Sequence, residues 1–455
     1  QRTVATDAID GLAVGEAGTW RHAGRRMGGQ SSSPAPGGAA MKILMLSHSN
    51  GGGGAGRATD RLFAALDQPG TDLRMHVDFK HGNDPRVFTN PGPAFEQRRT
   101  ARIQMDQIPG YMAKHPHPEL FSPGTRSAIS ARRVSKSAAD IVDVHWTNFG
   151  YLSIEELGKI DKPLVWHLHD MWAFTGGENY TDDGPEARWR HGYTDPKPPG
   201  MRWDVERWVY RRKQRSWTTP RHLITSSSWM AGLVAQSPLL GHWPVHVIPN
   251  PVDTNTYCPG QQGAARQTLG IPTDIPLVAT VLPTRLDDPR KGFDLLHESL
   301  ARVRRTRPDI RLAVVGHDSP PSNWATGLPT THWLGRQNDD GCIAAYRAAD
   351  LVVVPSRQDN SPQTATEPIA CGTPVVAFDS SGLPDFVQEA RSGYLARSFD
   401  TAELAHGITS LLEDEEKHRS LGVAARAFAV EHWSFSRIAA SHRDLYACII
   451  ESDDS

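Results

Sequence analysis

From Met41 onward, short β-branched runs alternate with longer stretches whose apolar positions recur at helical spacing. The first series of strand candidates is Lys42–Ser47, Met75–Phe79, Ile141–Trp146, Leu164–Leu168, His222–Ser226 and Val245–Ile248. Pro259-Gly260-Gln261-Gln262-Gly263 then breaks the pattern. A second series follows: Leu277–Leu282, Arg311–Val315, Thr331–Leu334, Leu351–Pro355, Val375–Phe378 and Gly393–Leu395. Several of these runs are apolar throughout, as in Leu351-Val352-Val353-Val354. Such runs suit strands covered on both faces, as in parallel sheets. Two alternating strand–helix series predict two doubly wound α/β domains. We place them at residues 41–258 and 259–432, with a helix in 433–455 returning to the first. Residues 1–40 read as a disordered tail or a start-site artefact, because the pattern begins only at Met41. Residues 181–202 are polar and rich in Pro and Gly, which predicts a long loop in the first domain.

Composition changes this picture little. The 455 residues suffice for two or three domains. With 49 basic and 51 acidic residues, the formal charge of −2 gives no overall attraction to nucleic acid. Cys258, Cys342, Cys371 and Cys448 are too dispersed for a zinc knuckle or a CxxC pair and read as free thiols. No apolar run approaches the ~18 residues of a membrane span, and residues 1–40 lack an apolar signal core. A soluble, cytoplasmic protein is expected, with no cofactor. Trp203–Trp217 combines Arg207, Arg211, Arg212, Lys213 and Arg215 with Trp208 and Tyr210. This stretch predicts either a solvated basic helix or a peripheral contact with the inner membrane face. Nine of the thirteen tryptophans fall between Trp146 and Trp243, where most read as packing residues and some could stack on sugar rings.

In open parallel sheets, ligands bind beyond the carboxyl ends of the strands, and the candidate chemistry sits there. The first strand ends at a glycine loop, Gly51 to Gly54, before a helix. Such a loop lets backbone and helix N–H groups approach a phosphate, although it also reads as a flexible turn. The spacing is not GxGxxG and no acidic partner follows ~20 residues later. Arg285, Arg290 and Lys291 lie in a strand-to-helix loop, where fixed cations could neutralise a leaving diphosphate or form a solvated cluster. After Pro355 come Asp359, Asn360, Ser361, Thr364 and Glu367. Carboxylates accept hydrogen bonds only, so they suit paired sugar hydroxyls. Alternatively, Glu367 is a first-turn helix acid favoured by the dipole. His169 ends a strand beside Asp170 and aromatics, a position that favours a functional histidine over a core one. No HExxH, cysteine cluster or DxD pair points to a metal.

These segments together resemble retaining glycosyltransferases of family four (glycosyl transferases group 1), with closest similarity to the exopolysaccharide and colanic-acid-type subgroup. The resemblance runs from Met41 to the C-terminus. It is most specific in Pro355–Pro374, which resembles the family's E-x7-E segment. Lys291-Gly292-Phe293-Asp294-Leu295-Leu296, His169-Asp170-Met171-Trp172-Ala173-Phe174-Thr175-Gly176-Gly177 and Ile248-Pro249-Asn250-Pro251-Val252-Asp253 match as well. The resemblance implies the GT-B fold, two Rossmann-like domains facing an interdomain cleft. It implies metal-independent transfer, with retention, from a nucleotide-diphosphate sugar to a saccharide or lipid-linked saccharide in polysaccharide biosynthesis. Glu367 would hold the donor ribose. Asp359 would sit near the transferred sugar, with Asn360 and Thr364 beside it. Lys291, with Arg285 or Arg290, would bind the diphosphate, and Gly52, Gly53 and Gly54 would approach it from the other domain. His169 would lie near the reacting sugar, and backbone around Arg336 would meet the base.

Three positions depart from the family pattern. Asp359 stands where the first acid is usually Glu. The family's usual spacing puts five positions between Arg and Lys, and here Lys291 lies six after Arg285, which leaves the Arg assignment open. Glu178-Asn179 follows the Thr-Gly-Gly run where the subgroup often carries cysteines and a histidine, so a metal or disulfide tied to those residues is not expected. A GT-B sugar-nucleotide epimerase or phosphorylase, or a non-catalytic nucleotide-sugar-binding scaffold, are the competing readings.

Overall fold

The computed structural model describes residues 40–92, 94–282, 288–320 and 327–453. The tail assigned to residues 1–40 falls outside them except for Ala40, and so does Arg285. Among the described residues, thirteen strands form two sheets, and every strand pair within them is parallel. The first sheet contains β1 (Met41–Ser49), β2 (Thr71–Phe79), β3 (Val87–Phe88), β4 (Ile141–Val144), β5 (Leu164–Leu168), β6 (His222–Thr225) and β7 (Val245–Val247). Its order is β3-β2-β1-β4-β5-β6-β7. The second contains β8 (Leu277–Val281), β9 (Arg311–Val315), β10 (Thr330–Trp333), β11 (Leu351–Val354), β12 (Val375–Phe378) and β13 (Gly393–Ala396), in the order β10-β9-β8-β11-β12-β13. The fold class is therefore the one expected, two Rossmann-like parallel α/β sheets.

The sheets are central because their strands are apolar on both faces. All residues of β4, β5, β11 and β12 are buried, and helices cover them as parallel crossovers require. Edge elements are shorter or more polar. β3 has two residues, too few for any periodicity to reveal, and β2 begins with the alternating Thr71-Asp72-Leu73-Arg74 ahead of its buried run. Helix Phe435–Asp453 contributes Ile438, Ala439, Tyr446 and Ile449 to the cluster that holds Ile43, Met45, Leu62 and Phe63 of the first sheet's layer. The crossing out of the first half and the crossing back run side by side, with Val252 N donating to Trp433 O (2.8 Å).

Two polar stretches of the first half are partly packed. The polar stretch 181–202 is anchored by Trp189, which is 1% exposed in a short 3-10 turn, Arg188–His191. Helix Val205–Ser216 turns part of its charge inward. Arg212 donates to both Glu155 oxygens at 2.7 Å and to Pro123 O at 2.7 Å. Arg207 donates to Tyr193 O (2.5 Å). Lys213 is fully buried, with Nζ donating to Trp172 O and to Thr175 O (3.0 Å) and lying 3.9 Å from the Trp172 ring centre. This helix is thus not simply a solvated basic face, because carbonyls and a carboxylate beneath it accept hydrogen bonds from these side chains. Among the described residues, no helix is long and apolar enough to cross a membrane.

Candidate functional site

The carboxyl ends of β1, β5 and β6 meet those of β8, β11 and β12 along a seam between the sheets. On the first side, the loop after β1 starts helix Gly54–Leu66 with Gly53 as its extended N-cap. Gly52 has φ +76, which glycine adopts freely. A Cβ on Gly56 would lie 2.4 Å from Gly51 O, so the tight loop requires glycine there. An added Cβ at Gly53 or Gly54 meets nothing within 4 Å. The loop therefore presents bare, accessible backbone, and Gly54 O accepts from Gln363 Nε2 of the opposite side (2.9 Å).

On the second side, Pro289–Lys291 forms a 3-10 turn capped by Asp288, and Gly292 (φ +63) opens helix Phe293–Thr306. A Cβ on Gly292 would sit 1.9 Å from Pro355 O. That contact fixes the Lys291 loop against the segment leaving β11. Lys291 Nζ consequently donates to Asp359 Oδ2 (2.5 Å), and both side chains keep partial access to solvent. Arg290 is committed locally. It pairs with Asp288 (2.7 Å) and lies 4.6 Å from the Tyr180 ring centre. Burial, then Asp359 and Asp170, raise the Tyr180 phenol, so it stays protonated.

The expected donor-binding residues separate into those facing open space and those tying the halves together. Asn360 is 2% exposed. Its Nδ2 donates to Leu168 O (3.0 Å) and His169 O (3.3 Å), while Oδ1 accepts from Ser227 Oγ (2.6 Å). Asn360 thus clamps the end of β5 to the end of β11. Thr364 is half-buried in the first turn of helix Gln363–Ala370. Arg336 is exposed just past β10. Glu367 is 2% exposed, with Oε1 accepting from Arg61 Nη2 (2.7 Å) and Oε2 from Tyr346 OH (2.7 Å). Arg61 also donates to Tyr257 OH (3.0 Å). Sequence reasoning missed Arg61, although a signal existed: it lies on the buried face of its helix with Ala58, Leu62 and Ala65.

His169, immediately after β5, is half-buried, and its Nε2 lies 3.1 Å from His145 Nδ1. Burial, then His145 and His167, hold its pKa well below the ordinary histidine value. Asp170 beside it is structural. Its Oδ2 accepts from Trp146 Nε1 (2.8 Å) and Oδ1 caps the turn at Trp172 N (2.9 Å), while burial pushes its carboxyl up to about 6. Among the described residues, Asp143, His145 and His167 form one group with donor atoms close enough for a metal ion, all within 4.8 Å. Groups of the chain itself face the carboxylate, although Asp143 Oδ1 and His167 Nε2 make no well-formed hydrogen bond among the described residues. Asp143 Oδ2 accepts from Tyr446 OH (2.6 Å) and lies 3.3 Å from His145 Nε2, and Oδ1 lies 3.2 Å from His167 Nε2. The sequence search looked for contiguous metal motifs and missed this group, which joins alternate positions on two neighbouring strands.

Glu178 and Asn179 fill the departure point after Thr-Gly-Gly with a polar network. Tyr193 OH donates to Glu178 Oε1 (2.9 Å), and Asn148 Nδ2 donates to Asn179 Oδ1 (2.7 Å). Burial first, then Glu206, push the Glu178 carboxyl upward. An acid raised on folding stabilises the fold while protonated and loses that contribution as pH rises from its unfolded value through its folded one. Glu178→Gln is therefore expected to raise the thermal midpoint more at pH 8 than at pH 5, read by calorimetry at both values. An equal shift at the two values would place an ionised carboxylate there throughout.

Comparison with known proteins agrees with this geometry. Residues 52–256 match Glycosyltransferase Family 4, and residues 266–428 match Glycosyl transferases group 1. Each half thus matches a glycosyltransferase family model. A D-inositol 3-phosphate glycosyltransferase of Segniliparus rotundus is 35% identical over 217 residues, 46% of this chain and 48% of that one. The chain spans about half the length of the curated relatives it matches. Among solved structures, sucrose-phosphate synthase from Thermosynechococcus elongatus aligns at TM-score 0.62 and 19% identity, covering 90% of this chain and all of that one. Anabaena HepE, solved in complex with UDP-glucose, aligns at TM-score 0.58 and 18% identity over the same shares. These likenesses show the fold: two Rossmann-like domains of the GT-B type.

Proposed function

We propose that this glycosyltransferase moves a sugar from a nucleotide-diphosphate sugar to a saccharide or lipid-linked saccharide, with retention and without a bound metal, in polysaccharide biosynthesis. The observation that carries the proposal is the Lys291–Asp359 pair, set between strand ends opposite an open glycine backbone. The Lys291 ammonium is a compact charge suited to a phosphate oxygen. Asp359 holds it at the seam, where a leaving diphosphate gains negative charge. Gly53 and Gly54 leave room for that diphosphate from the facing side, and the start of helix Gly54–Leu66 favours an anion. His169, kept neutral, adds a polar group without a second positive charge. The UDP-glucose complex of Anabaena HepE supports a nucleotide-sugar donor.

The test is a panel of UDP-, GDP- and ADP-sugars, scored by thermal shift and by transfer to saccharide, lipid-linked saccharide and inositol phosphate acceptors. Retention is read from the anomeric proton coupling of the product. Release of an altered nucleotide-sugar without acceptor would indicate an epimerase, and a requirement for inorganic phosphate a phosphorylase. Donor binding without turnover would indicate a scaffold. Because cations and backbone N–H groups carry the leaving-group role, transfer is expected to survive EDTA at near its untreated rate. Loss restored by Mn²⁺ or Mg²⁺ would overturn the metal-free mechanism.

A further inference from the structure

We infer that Asp143 and His145 act as positioning residues that lock His169 in one tautomer and aim its free ring nitrogen at the reacting sugar. The inference rests on the transferase reading only for what His169 does.

Strand geometry brings the residues together. Asp143 on β4 and His145 just beyond it are two apart, so they share a face. His167 on β5 and His169 just beyond it repeat that spacing, and Val165 of β5 pairs with Asp143. Helix Phe435–Asp453 closes the cluster with His442, stacked on His167 at 5.2 Å and 2°, and with Tyr446. His145 and His167 stack at 4.3 Å and 18°. The imidazoles therefore lie as near-parallel plates, with little freedom to rotate.

The proton positions follow from hydrogen-bond chemistry. Burial raises the Asp143 carboxyl, but His167, His145 and their hydrogen bonds outweigh it and hold the group well below its usual range. Asp143 is thus an ionised acceptor. Burial lowers His145 and His169, so each carries a single ring proton. His145 Nε2 faces the Asp143 carboxylate, which only accepts, so the proton sits on Nε2. His145 Nδ1 is then a bare lone pair, 3.1 Å from His169 Nε2. His169 Nε2 must therefore be the N–H. Its Nδ1, which takes no hydrogen bond from a described side chain or backbone group, is left as an acceptor. His169 is set to receive a hydrogen bond from a sugar hydroxyl, and a single carboxylate two residues deep in the sheet decides this.

The experiment uses the full chain labelled with ¹⁵N-histidine. Two-bond proton–nitrogen spectra at neutral pH report each tautomer, with His169 assigned through His169→Asn. The expected wild-type result is Nε2–H for both His145 and His169. In Asp143→Leu nothing accepts from His145 Nε2, which frees the His145 proton to move to Nδ1, where it can no longer accept from His169. The His169 signal should then change tautomer or broaden. Loss of an orienting partner typically lowers activity ~10–100-fold. We expect that loss in kcat, with donor KM within about twofold and the thermal midpoint as the folding control. Tyr446→Phe leaves the His145–Asp143 contact in place and should keep both the spectrum and kcat. A wild-type His169 protonated on Nδ1 would overturn the inference, as would an Asp143→Leu protein with unchanged spectrum and kcat. Stoichiometric zinc in the purified protein, found by elemental analysis, would also overturn it by placing His145 Nε2 on a metal. If Asp143→Leu fails to fold, the wild-type spectrum decides alone. If wild-type protein transfers no sugar to any acceptor, the transferase reading fails while the spectrum still tests the proton positions.

Discussion

Lys291→Ala is expected to lose about 10²–10³ in kcat, the ~3–4 kcal/mol typical of removing one preorganised donor from a developing oxyanion. Cleaving the sugar–diphosphate bond concentrates charge on a phosphate oxygen, and without a metal that charge must meet fixed cations and N–H groups. Among the described residues of this loop, Lys291 is the better placed cation. Arg290 is held by Asp288 and the Tyr180 ring, whereas Lys291 is fixed only by Asp359 at the seam itself. The fold should tolerate the change. The Lys291 and Asp359 side chains are 19% and 12% exposed, so water can take over part of the carboxylate's solvation. Steady-state kcat and donor KM, with thermal unfolding as control, test this. A near-normal kcat would move the leaving-group role to Arg290 or Arg285.

How much of this the sequence carried depends on the range of the interaction. The apolar runs of β4, β5, β11 and β12 are local and continuous, so the doubly wound fold was legible. The positions of Lys291, Asp359 and His169 at strand ends followed from the same pattern. What was not legible joins residues far apart. Arg61 and Glu367 are 306 positions apart, and Tyr446 and Asp143 are 303. No periodicity reports such pairs. The inward turn of Lys213 was hidden for a related reason: its partners are carbonyls of Trp172 and Thr175, and a backbone acceptor leaves no mark in composition. Asn360, which the sequence offers for a sugar hydroxyl, also clamps Leu168 to Ser227, a contact invisible in sequence because an amide serves equally well as ligand contact and as strut.

The second large effect concerns that long-range pair. Replacing either Arg61 or Glu367 alone should destabilise the chain by about 3–5 kcal/mol, since breaking a buried ion pair leaves an unpaired charge out of water. The pair qualifies as buried, with the Arg61 side chain 10% and the Glu367 side chain 2% exposed. Arg61 comes from the first half and Glu367 from the second, and Tyr257, Tyr346 and Gln363 complete the cage. The carboxylate expected to hold the donor ribose is thus already anchored by the opposite domain. It can take a ribose diol only through its remaining lone pairs or by releasing Arg61. Glu367→Ala should therefore lower the urea midpoint as well as raise donor KM, whereas a ribose contact alone would change only KM. Arg61→Met with Glu367→Leu should recover much of the lost stability, because two apolar side chains leave no orphan charge. A double-mutant cycle on the urea midpoints isolates the coupling. A coupling energy near zero would mean that the two halves do not hold this pair in solution. The ribose would then find Glu367 free, and KM would rise in Glu367→Ala with no loss of stability.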